Sequence, residues 1–160
     1  MTMTGRVDHI DRAIVDLLIE DGRMSGADIA RRIGDITERT VRNRLERLVK
    51  SDVIRVTAVV NAAMLGLPVM ADVFVEVEPG HIMDVAHQIA AFDDVTYVAC
   101  STGENDLSIQ IVATDNTALY RFVTEVIAAV PGVRKTTTVL LPVIVKDDNQ
   151  WPIPAGRCGD

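Results

Sequence analysis

Cysteine is scarce in this 160-residue chain: there are two, Cys100 and Cys158, with no metal-ligand spacing. A zinc site is therefore not expected, and the pair fits a reduced, cytoplasmic protein with both thiols free. Long apolar runs are missing as well, because charges interrupt each candidate before it reaches the length of a membrane span. The opening Met-Thr-Met-Thr-Gly-Arg has no apolar core of a signal peptide. Neither a Walker loop nor a dinucleotide fingerprint is present, so no cofactor is expected. Cys100 with His81 or His87 is the one imaginable nucleophile and base, and no spacing places either histidine beside it. A free cysteine near a strand end is far more often packing, so the chain is not expected to be an enzyme.

Apolar residues make up 48% of the chain, enough to build a core, and the length suits one ordinary domain or two small ones. The net charge of −7 opposes nucleic-acid binding, but it is unevenly spread. Residues 1–60 hold 11 Lys/Arg and 10 Asp/Glu, whereas residues 61–160 hold 5 and 13. Residues 31–55 alone carry 8 Lys/Arg against 4 Asp/Glu, half of all the bases. Local positive charge in an acidic chain points to one DNA-facing segment with the acidic half held away from the phosphates. The plainer alternative is a solvated Arg-rich surface helix.

That segment, residues 24–50, reads as two capped helices joined by a Gly-containing turn, a helix-turn-helix. Ser25 with Asp28 is close to a capping box, and Thr37 caps the next helix with Ile36 and Val41 as a hydrophobic staple. An earlier helix over 8–20 starts at Asp8, with Asp11 at its third position, and presents Ile10, Ile14, Leu17 and Leu18 on one face. Ile29, Ala30 and Ile33 from the second helix, and Val41, Leu45, Leu48 and Val49 from the third, complete a three-helix core. Val53–Val60 is a β-branched run, read as a strand or an extended linker.

The charge balance changes near residue 62, where a domain boundary is expected. Beyond it come a strand over 70–77, a helix over 81–91 and a strand over Val95–Ser101. The loop Thr102-Gly103-Glu104-Asn105 follows, then a strand over Leu107–Ala113 and a helix capped by Asp115. That helix carries Leu119, Phe122, Val123, Val126, Ile127 and Val130 at helical spacing and stops at Pro131-Gly132. A long last strand is expected over Val133–Val145. The order βαββαβ is the ferredoxin-like unit, with two helices on one face of an antiparallel sheet. Pro142 in the last strand implies an edge or a bulge, and its apolar surround implies sheet-to-sheet dimerisation. The tail after 147 is an arm, with Trp151 as its anchor, or disordered.

These residues resemble the Lrp/AsnC (feast/famine) family over roughly residues 7–146. The opening Val7-Asp8-His9-Ile10-Asp11-Arg12-Ala13-Ile14 is similar to the family's Leu-Asp-x-x-Asp-x-x-Ile. Thr40-Val41-Arg42-Asn43-Arg44-Leu45-Glu46-Arg47-Leu48 looks like its recognition helix, with Val53-Ile54 at the wing. Thr102 to Leu107 matches its Gly-x-x-Asp loop, and Pro131-Gly132-Val133 with Thr136 and Thr138 its last-strand pattern. Two departures stand out: the turn Gly34-Asp35-Ile36-Thr37 is one residue longer, and Asp52 stands where a Gly is usual.

The resemblance implies an α+β chain: a winged helix-turn-helix over 1–61, a hinge over 62–69, a ferredoxin-like βαββαβ (RAM-type) domain over 70–146, and the tail 147–160. It implies a transcriptional regulator that binds double-stranded operator DNA as a homodimer, takes a small effector, commonly an amino acid, and assembles into larger rings such as octamers. The alternative is a ligand-sensing or oligomerisation module without sequence-specific DNA binding.

For DNA, Arg39, Arg42 and Asn43 on the exposed start of the third helix suit base edges, since Arg bonds guanine and Asn adenine bidentately. Thr37, Thr40, Arg44 and Arg47 suit phosphates. The competing reading is surface ion pairing, with Glu38 four residues before Arg42 and Glu46 four before Lys50. The implied effector site lies between dimers, around the Gly-x-x-Asp loop and the facing last strand. There Glu104 and Asp106 suit an ammonium, while the backbone at Gly103 and the hydroxyls of Ser101, Thr102, Thr136 and Thr138 suit a carboxylate. Asp106 has a structural alternative, bonding the loop's own backbone.

Overall fold

Asp8 starts the first helix, α1 (His9–Glu20), because its carboxylate accepts from the N–H groups of Ile10 and Asp11, each at 2.9 Å. Asp11 answers by accepting from the Asp8 N–H at 3.1 Å, a reciprocal capping box. The computed structural model describes residues 7–146 and 151–158. Ser25 opens α2 (Gly26–Ile33) and Thr37 opens α3 (Glu38–Lys50), each hydroxyl accepting a backbone N–H at 3.1 Å. Ile14, Ile29, Ala30 and Val41 form the buried centre of the three helices, with Ile10, Leu17, Leu18, Met24, Ile33 and Ile36 packed around it. Leu48 is buried and Leu45 half-buried, but Val49, expected inside with them, is exposed. One residue past Leu48 it lies about 100° further round the helix, outside the apolar stripe.

Both departures from the family pattern fall on strained backbone. Asp35, the extra residue, has φ +53°, directly after Gly34 at φ +75°, so two positive-φ residues turn the chain toward α3. Asp52 has φ +55° and closes α3: Asp52 N–H donates to Val49 O at 3.1 Å and Val53 N–H to Leu48 O at 3.0 Å. This is a Schellman motif with aspartate where glycine is favoured. Asp52→Gly should stabilise the helical domain by about 0.5–1 kcal/mol, because a Cβ in this region is disfavoured. Urea unfolding checks it, and unaltered or reduced stability would show that the Asp52 side chain offsets its own strain.

After α3 the described chain from Ile54 to Asn61 enters neither helix nor strand, so Val53–Val60 forms no strand and leaves the linker alternative. Val56, Val59 and Val60 are exposed there. A 3-10 turn, Ala62–Leu65, ends at Gly66.

The second half forms an antiparallel sheet from β1 (Val69–Val77), β2 (Val95–Cys100), β3 (Leu107–Ala113) and β4 (Val133–Leu140), in the order β2-β3-β1-β4. With α4 (Ile82–Ile89) and α5 (Asn116–Arg121) between strands, this is the expected βαββαβ unit. Alternation on β1 buries Ala71, Val73, Val75 and Val77. They meet Leu107, Ile109 and Ile111 of β3, Val85 and Ile89 of α4, and Leu119, Val123 and Ile127 of the last helix.

Two expectations need correction here. The last helix does not stay α-helical: from Phe122 to Ile127 it widens, and Ala128 N–H reaches five residues back to Val123 O at 2.9 Å. The last strand does not run to Val145. Leu141 N–H makes a final bond to Met70 O at 2.9 Å, and Pro142 has no N–H with which to continue. β4 is an edge strand, as Pro142 implies, but Val143, Ile144 and Val145 lie exposed beyond it.

The chain divides into two units: one runs to Val59 and includes the described tail, and the other spans Val60–Val145. In the tail, Ala155–Arg157 forms a 3-10 turn, and Trp151 is exposed rather than serving as a buried anchor. Residues 147–150 and 159–160 of the tail lie outside the described residues. Among the described residues no helix is long and apolar enough to cross a membrane.

Candidate nucleic-acid interface and effector loop

The face of α3 that carries its charge divides into two parts. Toward its start, Arg39, Arg42 and Asn43 are exposed, beside exposed Thr37 and half-buried Thr40. Thr37 Oγ1 is committed to the cap and lies 2.9 Å from Thr40 Oγ1. Arg42 Nη2 pairs with Glu38 at 2.8 Å, the i,i+4 alternative noted in the sequence, and both side chains remain more than half exposed. Such a pair is worth little and opens readily.

Further along α3 two arginines pair with the start of α1. Arg44 Nη1 bonds Asp8 Oδ2 at 2.7 Å and Asp11 Oδ1 at 2.9 Å, and Arg47 Nη2 reaches Asp11 Oδ2 at 2.5 Å. Asp11 is fully buried, 0% exposed. Burial alone would raise the pKa of Asp8, but the Arg44 guanidinium and the N–H groups of Asp11 and Ile10 hold it below the usual carboxylate value. The hydrogen bond from Arg44 to Asp8, helped by Asp11, raises the Arg44 pKa in turn. An open groove lined by Asp8, Thr40, Asn43, Arg44 and Arg47 runs beside this cluster. Arg44 and Arg47, which suit phosphates by sequence, each meet buried or half-buried carboxylates in the structure. Sequence spacing missed these partners, although two acids on the first turn of α1 were its visible half.

The effector loop joins β2 to β3. Its base is closed by Ser101 N–H to Asp106 O at 2.8 Å and Ser101 Oγ to Asn105 O at 2.7 Å. Asp106 N–H donates to Val75 O at 3.0 Å, and Asp106 Oδ2 accepts from Val77 N–H at 2.8 Å. The carboxylate thus continues the β1–β3 ladder past its last pair, Val75 with Leu107, at the point where β1 shifts register against β4. The Asp106 carboxylate thus has a structural partner, in the backbone of β1 rather than of its own loop. Ser101, Thr102, Gly103 and Glu104 are exposed, and Gly103 has φ +135°. Thr136 and Thr138 pair with Val75 and Val73 on β4, so within one chain β1 separates them from the loop.

Lys135, which the sequence reading passed over, neighbours this loop. Its Nζ bonds Glu76 Oε1 at 2.8 Å. That hydrogen bond and the Glu76 charge, with Glu104 adding to them, raise the Lys135 pKa. The loop end of the sheet thus carries carboxylates and an ammonium near one another. Cys100, just before the loop, is a free, exposed thiol whose Sγ lies 3.7 Å from Met83 Sδ.

Known proteins align along both halves. The AsnC-type helix-turn-helix domain matches residues 7–49, and the Lrp/AsnC ligand binding domain matches residues 70–151. The chain is 40% identical over 141 residues to the uncharacterized HTH-type transcriptional regulator PH0140 of Pyrococcus horikoshii, covering 88% of this chain and 89% of that protein. It is 31% identical over 148 residues to the HTH-type transcriptional regulator FL11 of Pyrococcus abyssi, covering 92% and 97%. Among solved structures, the transcriptional regulator NMB0573/L-Met complex from Neisseria meningitidis shares the fold, with a TM-score of 0.83 at 21% identity over 92% of this chain and 97% of that one.

Proposed function

Because the chain belongs to the Lrp/AsnC family of transcriptional regulators, we propose that it binds operator DNA sequence-specifically through α3 and adjusts that binding when its sheet domain takes an amino acid. The observation that carries this is the exposed start of a capped α3, where Arg39, Arg42 and Asn43 share a solvent face. Those three read base edges, and Thr37 and Thr40 position the backbone. Residues 1–61 serve as the DNA-binding domain, 62–69 as a hinge and 70–146 as the effector and assembly domain. The working form is a cytoplasmic homodimer that builds a higher oligomer such as an octamer.

An amino acid offers an ammonium and a carboxylate. Exposed Glu104 suits the first, and the hydroxyls of Ser101 and Thr102 with the Gly103 backbone suit the second. Thr136 and Thr138 contribute from another copy of the chain, since β1 stands between them and the loop in their own. The same fold holds L-Met in the Neisseria protein, which supports the amino-acid class.

Arg42→Ala should weaken operator binding about tenfold or more, the value of one good bidentate contact at roughly 1–3 kcal/mol. A gel-shift titration on the DNA upstream of the protein's own gene, repeated with each amino acid, reads both halves of the proposal. Equal affinity of the unaltered chain and Arg42→Ala would sink the base-contact assignment. No operator binding under any condition would leave a ligand-sensing or oligomerisation module.

A further inference from the structure

We infer that Asp8 and Asp11 withhold Arg44 and Arg47 from DNA, so that α3 presents fewer phosphate-binding cations than its sequence carries. This rests on the DNA-binding reading above. Five cations lie on α3: Arg39, Arg42, Arg44, Arg47 and Lys50. Two of them face two carboxylates in a cluster whose charges cancel. Asp11 is fully buried, and its oxygens accept from Arg44, Arg47 and the Asp8 N–H. Moving either guanidinium to an exposed phosphate would weaken the pairing of a buried carboxylate, which costs far more than a screened surface contact returns. Arg42 differs, because its Glu38 partner is exposed and releases it cheaply. Arg39 and Lys50 have no ion-pair partner within 4.0 Å among the described residues.

Phosphate contacts strengthen binding to every sequence alike, while base contacts strengthen it on the operator. The two aspartates are therefore positioning residues: they hold α3 against the start of α1 and keep the sequence-independent part of its affinity low. The sequence shows a recognition helix dense in arginine; the structure turns part of that density into scaffold.

The test is the salt dependence of binding to a random-sequence duplex, measured by fluorescence anisotropy on the full-length chain. Each phosphate contact adds about 0.9 to the slope of log affinity against log salt. Arg47→Gln should leave that slope unchanged, because Arg47 neutralises no phosphate. Asp8→Asn should steepen it by up to about 0.9. Asparagine caps a helix as well as aspartate does, so this variant keeps α1 capped while removing one charge that confines Arg44. A role confined to folding would move stability and leave the slope in place. A drop of about 0.9 in Arg47→Gln, or an unaltered slope in Asp8→Asn, overturns the inference while leaving the DNA-binding reading intact. No salt-dependent binding by the unaltered chain overturns both.

Discussion

Asp11→Ala should cost the helical domain about 3 kcal/mol, far more than any exposed ion pair on α3. The carboxylate lost is fully buried and satisfies three donors: the Asp8 N–H at 3.1 Å, Arg44 at 2.9 Å and Arg47 at 2.5 Å. Removing one partner from a buried pair typically costs about 3–5 kcal/mol, because the charge left behind is uncompensated. Here the cost falls at the lower end: Arg44 keeps Asp8, and Arg47 is half exposed and regains water. Breaking the Glu38–Arg42 pair, by contrast, should cost only about 0.3–0.5 kcal/mol. Urea unfolding of the full chain, followed on amide signals of α1 and α3, measures the difference. A loss below about 1 kcal/mol would mean that Asp11 holds no buried ion pair in solution.

Ile109→Ala is the corresponding break in the sheet domain, and about 3–4 kcal/mol should be lost. Ile109 is fully buried on β3, one of the two inner strands, and its neighbours across the sheet are Val73 and Val98. Helices cover that face, so the walls cannot collapse fully onto the space left by the removed methyl and methylene groups. Roughly a 15–25 °C fall in the melting midpoint of a domain this size follows. Thermal unfolding by circular dichroism reads it. A shift of only a few degrees would show a core that repacks freely.

Local pattern made the architecture legible and hid the long-range partners. Alternating Val73, Val75 and Val77 identified β1 and its buried face before any pairing was known. Asp8, Ser25, Thr37 and Asp115 marked helix starts because capping is decided within three residues. Asp11 was visible only as a cap, since its other partners lie 33 and 36 residues away on α3. The same distance hid the partners of Arg44 and Arg47: an arginine's spacing shows its helix face but not the acids that another helix brings to it. Apolar residues continue past Pro142, so composition lengthened β4, whereas hydrogen bonding ended it. The widening of the last helix at Phe122 leaves almost no trace in the spacing, because the apolar stripe continues across it. Asp106 was legible as a loop acid with two possible duties; its bond from the Val77 N–H, 29 residues upstream, was not legible.

That last contact makes one amide proton a natural reporter. The other residues of β1 pair with the backbones of β3 and β4, but the Val77 proton is held by a carboxylate that belongs to the loop. When the loop lifts, this proton meets solvent while the rest of the strand stays closed. Its hydrogen–deuterium exchange rate therefore clocks the opening of the loop without any label, and a ligand that fastens the loop will slow that clock at one residue before the fold as a whole responds.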